Sequence, residues 1–365
     1  MMVDLKFLWT TEKSSPNWKP ADFPNTVKSR RCCGASSLVE AARRGFLRVL
    51  LLGMALALPA SSPAIAADHP LHLPAPLHDA LEALRNGRYQ QTIEASRSLQ
   101  ETFPGHPLPP LLAAEAGWGL IFCQTGHINS REIWSEADNK SSSFDREFFD
   151  AVDRSLAASE AWRRNPQTAA LGAFYDGLAH GVRARLFTLR AAAMDSAREG
   201  KQMRSSLLEA AEKDSALNMD AAAGLGVYNY YADVLSPLIK LIRFFLRIPG
   251  GDRAKGLEQL HSASQQAVML APEASYELAK IYSLRENRPG DALPLFRALA
   301  DQYPANAIFA FSAAVQAERI GSKELSADYH RKTMLVARQS DDVCRQRLIP
   351  ASQQALDRLQ GDFSR

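Results

Sequence analysis

Beyond Ala67 no run of this chain alternates apolar and polar residues long enough to make a half-buried strand, while apolar residues recur at three- and four-residue intervals almost to the C-terminus. That pattern confines the chain to an all-α fold. The helical runs read as Leu77–Asn86, Tyr89–Thr102, Leu108–Cys123, Phe144–Arg164, Thr168–Arg198, Met203–Lys213, Met219–Leu235, Pro237–Arg247, Arg253–Met269, Glu273–Leu284, Asp291–Gln302, Asn306–Ile320, Ser322–Arg338 and Ser340–Leu359. The breakers between them are short, as in Asn86-Gly87-Arg88, Phe103-Pro104-Gly105, Asn287-Arg288-Pro289-Gly290 and Tyr303-Pro304. Short breakers suit antiparallel helix pairs.

Composition decides whether so many helices can share a core. With 365 residues, 46% hydrophobic and 23% charged, the chain has the apolar surface to fold and is unlike a disordered protein. The formal charge of +3 comes from the N-terminus: residues 1–66 hold nine Lys/Arg against four Asp/Glu, which leaves 34 against 36 in the rest. A nearly neutral body gives a nucleic-acid partner no electrostatic support.

The arrangement of those N-terminal residues points to export. Ala42-Arg43-Arg44-Gly45-Phe46-Leu47-Arg48 precedes the apolar run Val49–Leu58, then Pro59 and the small-residue site Ala64-Ile65-Ala66. A charged region, an apolar core of about 10 residues and a cleavage site make a signal peptide, over residues 39–66, because a span needs roughly 20. The order Arg-Arg-x-Phe-Leu-Arg resembles the twin-arginine signal, with Ala42 in place of the hydroxyl residue and Arg48 in place of lysine. Both the twin-arginine and the general secretory routes stay open. Residues 1–38 carry Trp9, Trp18, Pro16, Pro20 and Pro24 without periodicity and read as a disordered extension or as a start assigned too early, with translation beginning near Val39. Export to the periplasm would place Cys123 and Cys344 in an oxidising compartment. Sequence cannot bring them together, and the reading prefers two buried free thiols.

Internal repetition chooses among all-α folds. Leu171-Gly172-Ala173-Phe174-Tyr175 and Leu278-Ala279-Lys280-Ile281-Tyr282 share one pattern, and Ala292, Phe296, Leu299 and Pro304 follow at spacings of four, three and five. Gly87, Tyr89, Leu99 and Pro104 match the turn, second helix and terminator of another unit. This resembles the tetratricopeptide repeat, a helix pair of about 34 residues. The resemblance implies a right-handed solenoid of antiparallel pairs over residues 67–365, continuous from 77 to about 360, with 273–302 its most regular pair. In it Gly172 would let the next helix approach and Tyr175 would fill the gap beside it. The sequence departs from the family at the loop Arg285–Gly290, one residue longer than usual, and in the unbroken Thr168–Arg198 run. More loosely, residues 224–256 resemble a divergent tetratricopeptide group that includes the fungal inclusion body clearance protein, with a Pro-initiated apolar helix followed by Gly-Asp-Arg.

That apolar helix, Pro237–Arg247, is too short to span a bilayer. Lys240, Arg243 and Arg247 form one narrow stripe at i, i+3 and i+7, and apolar residues cover the remaining faces. The preferred reading is a core helix whose cations reach solvent along their stems; a membrane-surface helix and a partner groove are the alternatives. Asp252 reads as an N-cap, because the turn around it lacks the Lys-Ser/Thr of a phosphate loop. His69, His72 and His78 lie close together in Pro-rich sequence without metal-ligand spacing.

No metal box, dinucleotide fingerprint or nucleophile elbow occurs, so the expectation is no enzyme, no cofactor and no metal. The expected function is an exported scaffold binding a protein or peptide on its concave surface, with Tyr228, Tyr231, Lys240, Arg243 and Arg247 as candidate contacts. The alternative is a peripheral membrane or lipid-associated protein that uses residues 237–248.

Overall fold

A computed structural model of the chain describes residues 69–126, 128, 141–234 and 249–363. Residues 1–66, where the extension and the signal peptide are expected, and residues 237–247, where a helix is expected, lie outside the described residues. Among those described, thirteen α-helices follow one another with no strand: α1 (Ala75–Arg85), α2 (Tyr89–Thr102), α3 (Leu108–Thr125), α4 (Asp145–Arg163), α5 (Ala169–Leu189), α6 (Ala193–Lys213), α7 (Asn218–Asp233), α8 (Arg253–Gln266), α9 (Ala271–Leu284), α10 (Pro289–Gln302), α11 (Ala307–Arg319), α12 (Lys323–Ala337) and α13 (Asp342–Phe363).

Each helix packs on its neighbour in sequence, and the odd-numbered helices pack on one another as well: α1 on α3, α3 on α5, α5 on α7, α7 on α9, and α11 on α13. Even helices do not pack on even helices to the same extent. A stack that is close on one layer and splayed on the other curves toward the close layer, so the odd helices form its inner side.

Sequence logic sets these elements. Ala279, Ala292, Phe296 and Leu299, read from the repeat spacing, are buried where α9, α10 and α11 meet. Pro304 is exposed in the turn that ends α10. Asp252 caps α8 by accepting from the Lys255 amide at 3.0 Å. From α7, the buried Asp220 accepts from the amides of Val268, Met269 and Leu270 at 2.7–2.9 Å, which satisfies the start of α9 and ties two odd helices together. Gly226 and Gly256 mark the crossing of α7 and α8: a Cβ on Gly256 would stand 2.6 Å from the Tyr230 nitrogen, so only glycine lets the backbones meet.

Two expectations change. Residues 168–198 do not form one helix, and Met203–Lys213 is not a separate one, because the break falls at Arg190–Ala192 and α6 then runs unbroken to Lys213. The turn closes with Ala192 N–H donating to Phe187 O at 2.9 Å and Ala191 N–H to Thr188 O at 3.1 Å, the bonding of a Schellman motif. Its left-handed position, φ 54°, belongs to Ala191, whereas the turns after α1 and α11 use Gly87 and Gly321. An L-residue there costs about 1–2 kcal/mol. Ala191→Gly should therefore raise the stability by about 1 kcal/mol, read as a higher melting temperature; an unchanged or lower value would contradict the strain. The second change concerns Gly172. A Cβ there would lie 2.6 Å from Arg163 N and 2.8 Å from Ser159 O, so its smallness admits the preceding helix α4, not the following one. Tyr175 likewise packs edge-on against Trp162 of α4 and His106.

The ends of the array meet. Arg85 at the end of α1 donates to Glu273 at the start of α9 at 2.9 and 3.0 Å, and to the Met269 carbonyl. Asn306, the N-cap of α11, donates to Arg85 O at 2.8 Å, and Asp341 accepts from the Tyr89 amide at 3.0 Å, capping α2 from the opposite end of the chain. Arg347 of α13 donates to the carbonyls of Gln124 and Gly126, closing the end of α3. Tyr89, Ile93, Leu120 and Phe122 share one core with Ile308, Phe311, Val315 and Leu348. Within that seam Cys123 and Cys344 form a disulfide across 221 residues. The expectation of two free thiols is corrected: the partners become neighbours only when the array closes.

Candidate functional site

The inner side of the curve carries the most unusual chemistry among the described residues. From α3 come Glu115 and Trp118, from α5 Arg185, from α7 Tyr231, and from α9 Tyr276, Glu277 and Lys280. The Arg185 guanidinium pairs with Glu115 and lies over the Trp118 ring, 4.6 Å from its centroid. Lys280 pairs with Glu277 at 2.6 Å and lies 5.2 Å from the Tyr276 centroid. Tyr276 in turn stands 5.3 Å from Phe309 of α11 and edge-on to Phe296, which fixes its ring.

The odd helices converge enough for their charges to be felt across the curve. Burial first, then the Glu277 charge, pushes the Tyr231 hydroxyl up; burial and the neighbouring Tyr89 do the same to Tyr276. Burial opposes the charge on Arg185, yet Glu115, with help from Glu277 of α9, holds the guanidinium firmly protonated. The wall is not sealed: a third of the Arg185 side chain and about a quarter of Glu115 are accessible. This is a balanced lining, two carboxylates and two cations between aromatic rings. It suits a polar segment with aromatic or cationic groups better than a purely apolar ligand.

The residues proposed from sequence fall differently. Tyr228 is buried, donates to Pro249 O at 2.7 Å and packs under Arg204 of α6. Tyr231, one turn on, faces Tyr230 and the Arg285 guanidinium at 5.9 Å. The two tyrosines are three residues apart on α7, Tyr228 buried and Tyr231 half-buried. Lys240, Arg243 and Arg247 lie outside the described residues. Nothing in the sequence singled out Glu115, Trp118, Arg185, Tyr276, Glu277 and Lys280; assigning helices to an inner and an outer layer would have grouped them.

Other polar clusters have structural explanations. His180 sits between Glu199, at 2.6 Å, and Asp176, at 3.7 Å, while Arg183 binds Glu199 and Asp153, and Arg163 and Ser206 bind Asp176. Burial pushes the Glu199 carboxyl up, but hydrogen bonds from His180 and Arg183 outweigh it and hold the group below the usual carboxylate value. Every acid in this α5–α6 network has a cation, as an interhelical ion lattice requires. Asp341 is raised by burial against the pull of two amides, and it borders an open cleft of about 370 Å³ lined by Gln90, Leu120 and Phe144. Its Oδ2 accepts from the amides of Tyr89 and Gln90 as the cap of α2. His69 contacts the Ala216 carbonyl at 2.9 Å, and among the described residues no group of three His, Cys, Asp or Glu could hold a metal ion. No helix among them is long and apolar enough to cross a membrane.

No known family model matches the chain, and no curated protein matches it. The tetratricopeptide resemblance therefore rests on the residues quoted above and on the packing order of the helices.

Proposed function

We propose that this chain is an exported, non-catalytic scaffold of tetratricopeptide type, a right-handed array whose odd helices offer their inner wall to a segment of a partner protein in the periplasm. The observation that carries this reading is the inner lining itself. Aromatic and arginine side chains, the residues that dominate protein interfaces, are held on four successive odd helices with part of their surface accessible. The disulfide supports export, since such bonds persist in oxidising compartments. The assignment of shifted acids to capping and ion pairing supports a non-catalytic role.

The test compares capture of periplasmic proteins by the wild type and by Glu277→Gln/Lys280→Gln, which removes one charge pair from the wall at constant size. A specific partner should be held by the wild type and weakened at least tenfold by the variant, with the melting temperature changed little. Equal capture by both would remove the inner wall from the function. Binding of the wild type to anionic vesicles, with no protein captured, would favour instead a membrane-surface role for residues 237–248.

A further inference from the structure

We infer that the Cys123–Cys344 disulfide is a redox clasp: oxidation locks the two ends of the helical array together, and reduction releases them while the middle of the array stays folded. The bond joins the end of α3 to the start of α13, and both cysteines are buried in a core whose buried residues come from α2, α3 and Ile128 on one side and α11–α13 on the other, with Leu189 of α5 packed against it. Most other interfaces join helices that are adjacent or next-but-one in the chain, with the Arg85–Glu273 tie from α1 to α9 as a further long-range contact. In such an array each unit is stabilised by its neighbours, and the far end contributes nothing to the middle. End-to-end closure differs, because it must hold a loop of 221 residues shut.

The non-covalent ties across the seam are of a kind that opens one at a time. Asp341 accepts from two amides, Arg347 reaches three carbonyls, and Asn306 bonds one. Their apolar companions mix large residues, among them Phe122, Phe311 and Leu348, with the small Ala116, Ala307, Ala337 and Ala351, which bury less surface each. The chemistry is thiol–disulfide exchange. Two thiols lose two protons and two electrons to a disulfide oxidant of the oxidoreductase class, which leaves as its dithiol; a dithiol reductant reverses the step. Since Cys123 and Cys344 are 0% and 2% exposed, exchange passes through a transient opening of the seam.

Closure also shapes the inner wall. Tyr89 belongs to the seam core and lies near enough to Glu115 of α3 and to Tyr276 of α9 for their charges to be felt, and Tyr276 contacts Phe309 of α11. Releasing the ends separates these groups and widens access to Arg185, so the clasp sets how enclosed the wall is, whatever binds there.

Hydrogen exchange followed by mass spectrometry, with small-angle scattering, tests this on the full chain in three forms: oxidised, reduced with dithiothreitol, and Cys123→Ser/Cys344→Ser. The reduced and substituted forms should exchange at least tenfold faster in α2, α3, α12 and α13, keep the protection of α5–α8, and show a larger radius of gyration. Unchanged exchange at the ends would overturn the clasp, because the seam would then close without the bond. Equal loss of protection in α5–α8, or global unfolding of the substituted chain, would overturn it too, making the bond a staple for the whole fold. Free thiols on the chain recovered from its native compartment would also overturn it.

Discussion

Ala292→Glu should leave little or no chain with a cooperative melt at neutral pH. Ala292 is fully buried in a cluster of Ala279, Leu293, Phe296, Ala300, Ala310, Ala313, Ala314 and Ala317, with Tyr329 as its only buried polar-tipped member. The buried members of that cluster offer a carboxylate no cation, and the penalty for burying an unpaired ion is several kcal/mol even after relaxation. Against a total stability of about 5–15 kcal/mol, that is enough to unfold most molecules. Phe296→Ala is the graded companion. It removes a ring that is 1% exposed and should cost about 3–5 kcal/mol by leaving a cavity. Because Phe296 supports Tyr276 edge-on at 6.0 Å, this variant should also loosen the inner wall. Chemical denaturation of both variants beside Ala292→Ser, which keeps the volume nearly constant, separates charge burial from packing. If the glutamate variant melts with the wild type, position 292 does not face the α9–α11 core.

The same stretch shows why the fold was legible. At 273–302 the residues that pack between helices keep spacings of three and four, and Asn, Pro and Gly mark the turns, so local chemistry and tertiary packing agree. Where they disagree, sequence reading fails. The α5–α6 break carries no glycine or proline, since Ala191 takes the left-handed position and the surrounding alanines continue the helical pattern. The disulfide was illegible for another reason. It follows from the meeting of α3 and α13 with nine described helices between them, and no local spacing records such closure. The inner wall was hidden because Glu115, Arg185, Glu277 and Lys280 look like any solvated helix face until the curvature places them on one side. Tyr228, one of the tyrosines that sequence reads as packed between helices or lining a concave surface, is buried, and its hydroxyl donates to the Pro249 carbonyl.

Acid should destabilise the fold between about pH 6.5 and pH 4 through two buried histidines. His330 of α12 is 0% exposed, with Nδ1 3.3 Å from Ser352 Oγ of α13 and its ring edge-on to Phe311 of α11. Burial, helped by the Arg358 charge, lowers its pKa to about 4; Arg358 itself is engaged with Glu318 at 3.0 Å. His106, packed against Trp162 and Tyr175, is lowered to about 4 by burial alone. The folded state thus binds fewer protons than the unfolded chain, whose histidines titrate near 6.5. Stability is fully present above that value, falls as the pH drops through the window, and stops changing from this source below about pH 4. His330 is worth on the order of 3 kcal/mol across the whole range, and His106, which is only half-buried, less, because solvent screens it. Glu199 and Glu286, held below the usual carboxylate value against burial by hydrogen bonds from cationic partners, lose their contribution only at lower pH, and Asp341, raised by burial, acts with the opposite sign. Between pH 7 and 4.5 the difference between the wild type and each variant therefore isolates one histidine, because Asp341 is common to all three proteins. Denaturant midpoints of the wild type, His330→Gln and His106→Gln at those two pH values should show the wild type losing most, His330→Gln losing less by about 2 kcal/mol and His106→Gln less by a smaller margin, since a glutamine in the same place takes up no proton. Equal losses in all three proteins would mean that the imidazoles are hydrated in solution and that the α12–α13 interface is open to water.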